Sequence, residues 1–586
     1  MATTDLHGHL LPHDYITDTP THGEGLAGLG HLISDARAQA EAVGTPVILL
    51  DNGDTFQGTP LASYLAAHPV MPEHPIIASL NHLAYDAIGL GNHDLDHGLT
   101  YLRAVETHMN MPILNANLRG VSQSPLKRSL LLTIPTPADC PAPLTVGILS
   151  ILPPQSAAWH SHHLGPSVVL EDPAQSLKTQ SNALRQEGAD LIIVLAHMGV
   201  GKADGTDSDR LAAQALVQTG GFDLLILGHT HRRYPSPDYD GRKGTDIDRC
   251  TLGGIPTVMA GHSGSDLAVV DLELSHDADR GWHVAHHMGH LHPNQPDTPI
   301  DLVIRDITKP VHAAVRKQLN TKITTAARDI HSYFSLAMPA HTQRLTAQAH
   351  YALMRDALKD TPESRLPLLA TAAAHGAGGR DGLGNYVHVP KGPILHRHVS
   401  GMLPFANQAV AIRINGAQLR DWLEHAALVF NQITSDHPTQ LLLNPDIPAF
   451  HCDTIFGLNY QIDPSAPALK RISNITYDTR LVGPEQDFML ATTQFRISGG
   501  GGYAPPPNVA AISNRPVQDA LSTALSTPSS DPWADAPTWR FAPLGGMKAT
   551  FHTHPNATNH LSDISHLHPN PVGTTLEGFI KLQLTL

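Results

Sequence analysis

Cysteine is scarce in this chain, and the few cysteines form no recognisable motif. The three, Cys140, Cys250 and Cys452, lie far apart, and none has the CxxC spacing of a thiolate zinc site. The sequence therefore indicates neither a disulfide framework nor a zinc ribbon, and it leaves a single bridge open. Long apolar runs are also absent: none reaches the ~18 residues that a membrane-spanning helix needs.

Positive charge is in short supply as well. The chain has 38 Lys and Arg against 53 Asp and Glu, a formal net charge of -15, and no block of basic residues. A protein that binds a polyanion needs a basic face, so this balance excludes long nucleic acid as a stable partner. Small phosphate esters remain compatible with it, because a bound metal ion reverses the local field.

The amino terminus lacks a secretory signal and opens directly on MATTDLHGH. A buried strand normally precedes a turn of the DLHGH type, but only four residues precede Asp5 here. We therefore expect that further residues, including a signal peptide, precede Met1 in the natural protein.

The first ~290 residues alternate short apolar runs with helical patterns, and polar residues follow the runs. Continuous apolar runs of this length are typical of strands buried on both faces. The carboxyl ends of such strands are where open α/β folds bind ligands. The runs and their polar ends are Val47–Leu50 with Asp51–Asp54, Asp86–Leu90 with Gly91–Asp94, Leu191–Leu195 with Ala196–Met198, and Leu224–Leu227 with Gly228–His231.

A Pro-rich stretch at residues 291–299 indicates a domain boundary, and an amphipathic segment over 301–319 predicts a linking helix. The second half mixes strands, at 408–414 and 487–493, with a helix at 416–430, and it ends in an alternating strand. We therefore predict an α/β domain over 1–298, a linker helix over 299–324 and an α+β domain over 325–586.

Histidine is abundant, at 40 of 586 residues, so a single histidine carries little information. Five segments in the first half nevertheless occur in a specific order at predicted strand ends: Asp5-Leu-His7, Gly53-Asp54, Gly91-Asn-His-Asp94, His197 and Gly228-His-Thr-His231. Together they resemble the metallophosphoesterase (calcineurin-like) pattern. The resemblance implies a four-layer αββα domain with a two-metal site.

Two divalent cations about 4 Å apart need a bridging carboxylate, and we assign that role to Asp54. The resemblance implies that one site is completed by Asp5, His7 and His231. It implies that Asn92, His197 and His229 complete the other. Imidazole and oxygen ligands without thiolate suit Mn, Zn, Co or Fe, and the pattern does not distinguish among them. Such a pair of cations activates water for attack on phosphorus.

His93 and Asp96 lie in the same GNHDLDHG segment. The resemblance implies that His93 binds no metal but stabilises or protonates the leaving oxygen, with its tautomer set by Asp96. A simpler interpretation is that Asp96 only caps a turn. Asp94 stands where many relatives have Glu, and we interpret it as structural.

The second half resembles the C-terminal domain of the bacterial 5'-nucleotidase family. Within that family it is most similar to the 2',3'-cyclic-nucleotide 2'-phosphodiesterase/3'-nucleotidases. The stretches that carry the likeness are FNQI at 430–433, GLNYQID at 457–463, RISNIT at 471–476, ATTQFRISGG at 491–500 and, near the front, DYITDTP at 14–20.

In this family two aromatic rings enclose the base, and the matching residues here are Phe405 and Phe495. A ring stacks on any base, for about 1–3 kcal/mol each. Both positions carry Tyr in similar proteins, and both Phe are open to interpretation as core residues. Asn407 is implied at a base edge. Arg380 and Arg397 match arginines near phosphate or sugar, although surface ion pairs are an alternative for them.

Two further features affect the prediction. Gly501 stands where 5'-nucleotidases carry Asp, which favours the cyclic phosphodiesterase branch. Five histidines crowd residues 551–570, and we interpret them as a solvated, histidine-biased loop rather than as a third metal site.

The sequence therefore predicts an enzyme that opens nucleoside 2',3'-cyclic phosphates and then hydrolyses the 3'-nucleotides. A broad 5'-nucleotidase or UDP-sugar hydrolase is the nearest alternative, and a non-catalytic nucleotide-binding protein is another. The resemblance implies a periplasmic, monomeric protein whose partners are small nucleotides, two divalent metal ions being its cofactors.

Overall fold

The apolar runs of the first half form strands that are buried on both faces. The strands Leu191–Ala196 and Leu224–Leu227 are buried at every residue, which explains why they are apolar throughout. The run at 47–50 yields a shorter strand than predicted, Leu50–Asp51. The backbone N–H of Leu49 donates to the Asp86 carboxylate at 2.8 Å instead of joining a ladder.

The computed structural model describes residues 1–586 except 122–125, 137–139, 141, 160–163, 166, 202–212, 278–280, 380–381, 405–406, 435–438, 505–507, 527–531 and 534–537. The described residues form two units, Met1–Lys317 and Gln318–Leu586. The helix Leu302–Leu319 crosses the limit between them. The boundaries at 298 and 325 stay a prediction. No helix in these described ranges is both long and apolar enough to cross a membrane.

Two sheets form the centre of the first unit. The first has the order Gly281–Pro293, Asp266–Asp277, Ala2–Thr3, Leu50–Asp51, Ala87–Gly89, Ile113–Leu114, and its last four strands are parallel. The second has the order Thr245–Asp246, Thr251–Leu252, Ile255–Ala260, Leu224–Leu227, Leu191–Ala196, Leu144–Ile151, Ser129–Ile134, with Arg233–Tyr234 paired to Ile255–Ala260.

The two sheets pack face to face, with helices outside. Leu50 and Ala87 of the first sheet share a buried cluster with Ile193 of the second. On the other face of the second sheet, Leu184 and Leu216 cover the strands. The helices of this unit are Leu26–Ala42, Pro60–Ala66, Pro75–His82, Gly98–Thr107, Gln155–Trp159, Pro173–Gln186, Ala213–Thr219 and most of Leu302–Leu319. The predicted four-layer αββα arrangement is confirmed.

The second unit is α+β, as predicted. Its largest sheet has the order Asp453–Phe456, Leu368–Ala373, Asp487–Thr493, Gln408–Asn415, Val509–Pro516. Leu490 enters one buried cluster and its neighbours Met489 and Ala491 enter another, so this sheet is covered on both faces. The longer helices are His341–Leu358, Gly416–Ala426 and Val517–Ser526. A smaller three-stranded sheet has the order Lys548–Thr553, Ile580–Thr585, Asn570–Thr574.

Candidate active site

The candidate ligands stand just beyond the carboxyl ends of strands from both sheets of the first unit. Parallel strands in one sheet end at one edge, so residues that follow them are brought together. In the first sheet Asp5 follows Ala2–Thr3, Asp54 follows Leu50–Asp51 and Asn92 follows Ala87–Gly89. In the second, His197 follows Leu191–Ala196 and His229 follows Leu224–Leu227.

Asp5, His7 and His231 form the first group of possible metal ligands. The Nε2 atoms of His7 and His231 lie 3.0 Å apart. The Oδ1 atom of Asp5 is 3.9 Å from His7 Nε2 and 3.6 Å from His231 Nε2. The three atoms are therefore close enough together to bind one metal ion.

Asp54, His197 and His229 form a second group beside the first. The Oδ2 atom of Asp54 is 2.9 Å from His197 Nε2 and 4.0 Å from His7 Nε2, so it reaches both groups. Asn92 is 2 % exposed, and its Oδ1 atom is buried without a hydrogen-bond partner within the described part of the chain. These donors fit two divalent cations that share Asp54.

Backbone carbonyls fix the tautomers of two of these histidines. The Nδ1–H of His7 donates to the Gln57 carbonyl at 2.7 Å, and that of His197 donates to the Asn52 carbonyl at 2.8 Å. The Nε2 atom of each ring is therefore turned toward the group, as in metal-binding histidines generally.

Burial keeps the two imidazoles of the first group neutral, while the second group contains an anionic carboxylate, that of Asp54. Burial, with His231 nearby, lowers the pKa of His7 to about 3. Burial alone would raise the pKa of Asp54, but His197, His93 and His7 outweigh it and hold that pKa well below its usual range. Asp54 is therefore an anion that attracts cations.

Five of the candidate ligands have left-handed backbones, which non-glycine residues rarely adopt. The φ angles are 50° at Asp5, 49° at His7, 56° at Asp54, 68° at His229 and 57° at His231. Each such residue costs roughly 1–3 kcal/mol unless its surroundings impose it, and strain of this kind concentrates at functional sites.

His93 and Asp96 are also brought together. Asp96 Oδ2 accepts a hydrogen bond from His93 Nδ1 at 3.0 Å, and the His93 ring centroid lies 5.6 Å from that of His7. Burial alone would lower the pKa of His93, but Asp96 and Asp54 outweigh it and raise the pKa to about 9. His93 can thus carry a proton beside the candidate metal ligands.

Asp94 ties two loops of the site together. Its carboxylate accepts hydrogen bonds from the backbone N–H groups of Asp54, Thr55, Phe56 and Gly91 at 2.9–3.0 Å. Burial, followed by the charge of Asp54, raises its pKa to about 6. The sequence interpretation of Asp94 as structural agrees with these contacts.

Several neighbours of the site were missed in the sequence. Thr4 donates to Asp5 Oδ2 at 2.6 Å, and the rings of Trp159 and His262 stack on His229 and His231. His262 follows the strand Ile255–Ala260, so the rule that found the other strand ends would also have found it. Trp159 carries no such signal.

The candidate substrate residues of the second unit are described only in part. Phe405 and Arg380 lie outside the described residues. Phe495 is half-buried on the short helix Gln494–Ile497, and Asn407 is half-buried just before the strand Gln408–Asn415. Arg397 is half-buried on the helix His396–Met402.

The glycine run packs against a buried ion pair that was not predicted. Arg496 donates to both carboxylate oxygens of Asp453, at 3.0 and 2.8 Å, and its guanidinium lies 4.4 Å from the Tyr503 ring centroid. A Cβ at Gly500 would lie 2.5 Å from the Phe495 ring, and one at Gly501 would lie 2.4 Å from Arg496. The glycines therefore let this loop close over both side chains.

Comparison with known proteins identifies the families that have this fold and these groups of side chains. Residues 1–233 match the family model for calcineurin-like phosphoesterases, and residues 324–506 match that for the C-terminal domain of 5'-nucleotidases. The fold and the buried His/Asp groups are thus those of a metallophosphoesterase.

Individual relatives make the family plain. A 2',3'-cyclic-nucleotide 2'-phosphodiesterase/3'-nucleotidase of Salmonella typhimurium is 32% identical over 528 residues, covering 85% of this chain and 81% of that protein. The trifunctional nucleotide phosphoesterase YfkN of Bacillus subtilis is 30% identical over 94% of this chain, which spans 39% of YfkN. A 5'-nucleotidase structure from Staphylococcus aureus shares the fold, with a TM-score of 0.73 at 21% identity over 92% of this chain and 98% of that one. The chain belongs to the 5'-nucleotidase family and is a nucleotide phosphoesterase.

Proposed function

We propose that this protein hydrolyses nucleoside 2',3'-cyclic phosphates to 3'-monophosphates, and 3'-nucleotides to nucleoside and phosphate. The observation that carries the hydrolytic part is the pair of buried donor groups that share Asp54. The substrate class is supported by the relative named for these activities, which is similar along most of both chains.

The seven candidate ligands hold two divalent cations in this proposal: Asp5, His7, Asp54, Asn92, His197, His229, His231. When bound, the cations activate a water and neutralise charge on the phosphoryl group. Asp54 would contribute to both positions, because its carboxylate lies near His197 of one group and His7 of the other. His7 and His197 contribute Nε2, because their Nδ1–H groups are already committed to carbonyls.

His93 acts on the leaving oxygen. Held by Asp96, it keeps its proton at neutral pH and donates it as the P–O bond breaks. In the first step water adds to phosphorus and the bond to the 2' oxygen breaks. In the second step another water adds to phosphorus, the bond to the 3' oxygen breaks, and the nucleoside leaves with its hydroxyl restored while inorganic phosphate is released.

The nucleoside is recognised by residues of the second unit. Phe405 and Phe495 stack on the base, which accommodates any base because every base has a π face. Asn407 hydrogen-bonds a base edge, and Arg380 and Arg397 bind phosphate or sugar through their fork of donors.

A parallel assay tests this assignment. Product formation from 2',3'-cyclic AMP, 3'-AMP and 5'-AMP is followed by chromatography, before and after EDTA, and again after Mn²⁺ is restored. Metal-dependent turnover of the first two, with slow 5'-AMP turnover, is the expected result. Dominant 5'-AMP turnover would assign the protein to the 5'-nucleotidase or UDP-sugar hydrolase alternative, and no turnover would favour a nucleotide-binding protein.

A further inference from the structure

We propose that the second unit contains a separate metal site, formed by Asp329, His388 and His560, which takes one divalent transition-metal ion of the zinc type. The three side chains can present one donor atom each within 4.8 Å of one another. They belong to the second unit, so the proposal does not depend on the proposed hydrolysis.

The spacing of the donor atoms suits a shared ion. The Nε2 atoms of His388 and His560 lie 3.9 and 3.8 Å from the same atom, Asp329 Oδ2. These distances are too long for hydrogen bonds. Around a tetrahedral zinc ion with bonds of about 2.0–2.1 Å, neighbouring donor atoms are about 3.3 Å apart. Small side-chain rotations would therefore bring all three donors onto one ion.

The backbone holds two of the three ligands in place. The Lys391 backbone N–H donates to Asp329 Oδ1 at 2.7 Å, which leaves Oδ2 for the two histidines. His388 lies on the strand His388–Val389, which pairs with Ile330–His331 immediately after Asp329. Ligands oriented in this way are typical of metal centres, where an outer contact fixes the atom that binds.

A second group beside it, His331, His560 and Asp563, is the weaker candidate. His331 Nε2 and Asp563 Oδ2 already satisfy each other by a hydrogen bond of 3.0 Å. The His331 ring lies against His560, with centroids 4.3 Å apart. We therefore assign His331 and Asp563 a supporting role, in which they position the His560 ring.

The donor chemistry selects the kind of ion. Two imidazoles and one carboxylate suit zinc and similar transition metals, while magnesium and calcium prefer sets of oxygens. Three protein ligands leave a fourth position for water. The ion would join three chain segments that are distant in sequence. One of its ligands, His560, is among the five histidines of residues 551–570 that are interpreted from the sequence as a solvated loop.

Zinc counting on the full chain tests the proposal. Protein stripped with EDTA is loaded with Zn²⁺ and freed of unbound zinc by gel filtration. Zinc per chain is then measured by mass spectrometry for the wild type and for His388→Ala and His560→Ala. We expect each variant to retain one ion fewer than the wild type. His566→Ala, in the same segment Pro555–Leu567, is the matched control and retains the wild-type number.

Asp54→Asn separates this result from the proposed function. That variant is expected to lose zinc from the first unit and to keep the ion at His560, which the double variant with His560→Ala then loses. Equal zinc content in the wild type, His388→Ala and His560→Ala would overturn the proposal, as would an equal loss in His566→Ala.

A crystallographic measurement covers the case in which the variants do not fold. Anomalous scattering at the zinc edge from the wild-type protein should show a peak about 2.0–2.2 Å from Asp329 Oδ2 and from both Nε2 atoms. Peaks confined to the first unit would overturn the proposal.

Discussion

In the first unit, Asp5, Asp54 and His197 are at most 1 % exposed and lie within three residues of the ends of buried strands. In the second unit, Phe495 is half-buried on a helix of one turn, and Asn407 is half-buried before a strand. Catalytic groups must be held in place by neighbours that lock their side chains, and longer regular elements hold them more precisely than short ones and loops do. Under the proposed roles, the comparison teaches that rate and substrate choice depend on differently built regions.

The largest effect is expected at Asp54. Asp54→Asn removes the charge shared by both donor groups, so turnover of every substrate should fall to background, a loss of roughly 10⁴-fold or more. Steady-state assays with 3'-AMP and 2',3'-cyclic AMP measure it, with the half-exposed Asp35→Asn as control. Turnover equal to that of the control would remove the two-metal mechanism.

His93 separates leaving-group chemistry from metal binding. His93→Gln should lower kcat for 3'-AMP by about 10²–10⁴-fold, the usual contribution of a general acid. p-Nitrophenyl phosphate has a leaving group that needs no proton, so its kcat should fall far less. Equal losses on both substrates would show that His93 acts in some other way.

Asp94 tests whether backbone positioning sustains the rate. Asp94→Asn keeps the shape of the side chain. It replaces one carboxylate oxygen by an NH₂ group, which cannot accept the hydrogen bonds that the backbone N–H groups donate to that oxygen. We expect a loss of about 10–100-fold in activity or metal affinity, as for other outer contacts of metal sites. Titration of turnover with Mn²⁺ measures it. A change in preference among nucleotides, rather than a uniform loss, would contradict the assignment of substrate choice to the second unit.

The smallest effect is expected in the second unit. Gly500→Ala places a Cβ 2.5 Å from the Phe495 ring, which must shift and lose part of a stack worth about 1–3 kcal/mol. KM for nucleotides should rise about ten-fold, while kcat for p-nitrophenyl phosphate should stay unchanged. Gly483→Ala, where a Cβ meets nothing within 4 Å, is the matched control. An unchanged KM would argue that Phe495 is a core residue.

Much of the fold could be predicted because its central strands are buried on both faces. Such strands are recognised from their continuous apolar runs, and the polar residues that follow them mark one edge of each sheet. This reasoning, together with the resemblance to metallophosphoesterases, selected Asn92 and the six side chains that the structure places in two groups in the first unit. Their roles as metal ligands stay a prediction.

Other features had no local signal. The contacts of Asp94 involve two loops, and the ring of Trp159 reaches His229 from a separate helix. Asp329 and His388 become neighbours through the pairing of short strands, and His560 reaches them from the separate segment Pro555–Leu567. Contacts of this kind depend on tertiary packing, which periodicity along a single segment does not encode.

The donor groups of the first unit also constrain how the protein matures. His7 and His231 meet across 224 residues of chain. At about 5–20 residues per second, a ribosome adds His231 roughly 10–45 seconds after His7. A nascent chain therefore carries incomplete donor groups until His231 has been added, and neither group can be complete before the strand Leu224–Leu227, which both His229 and His231 follow, has joined the second sheet.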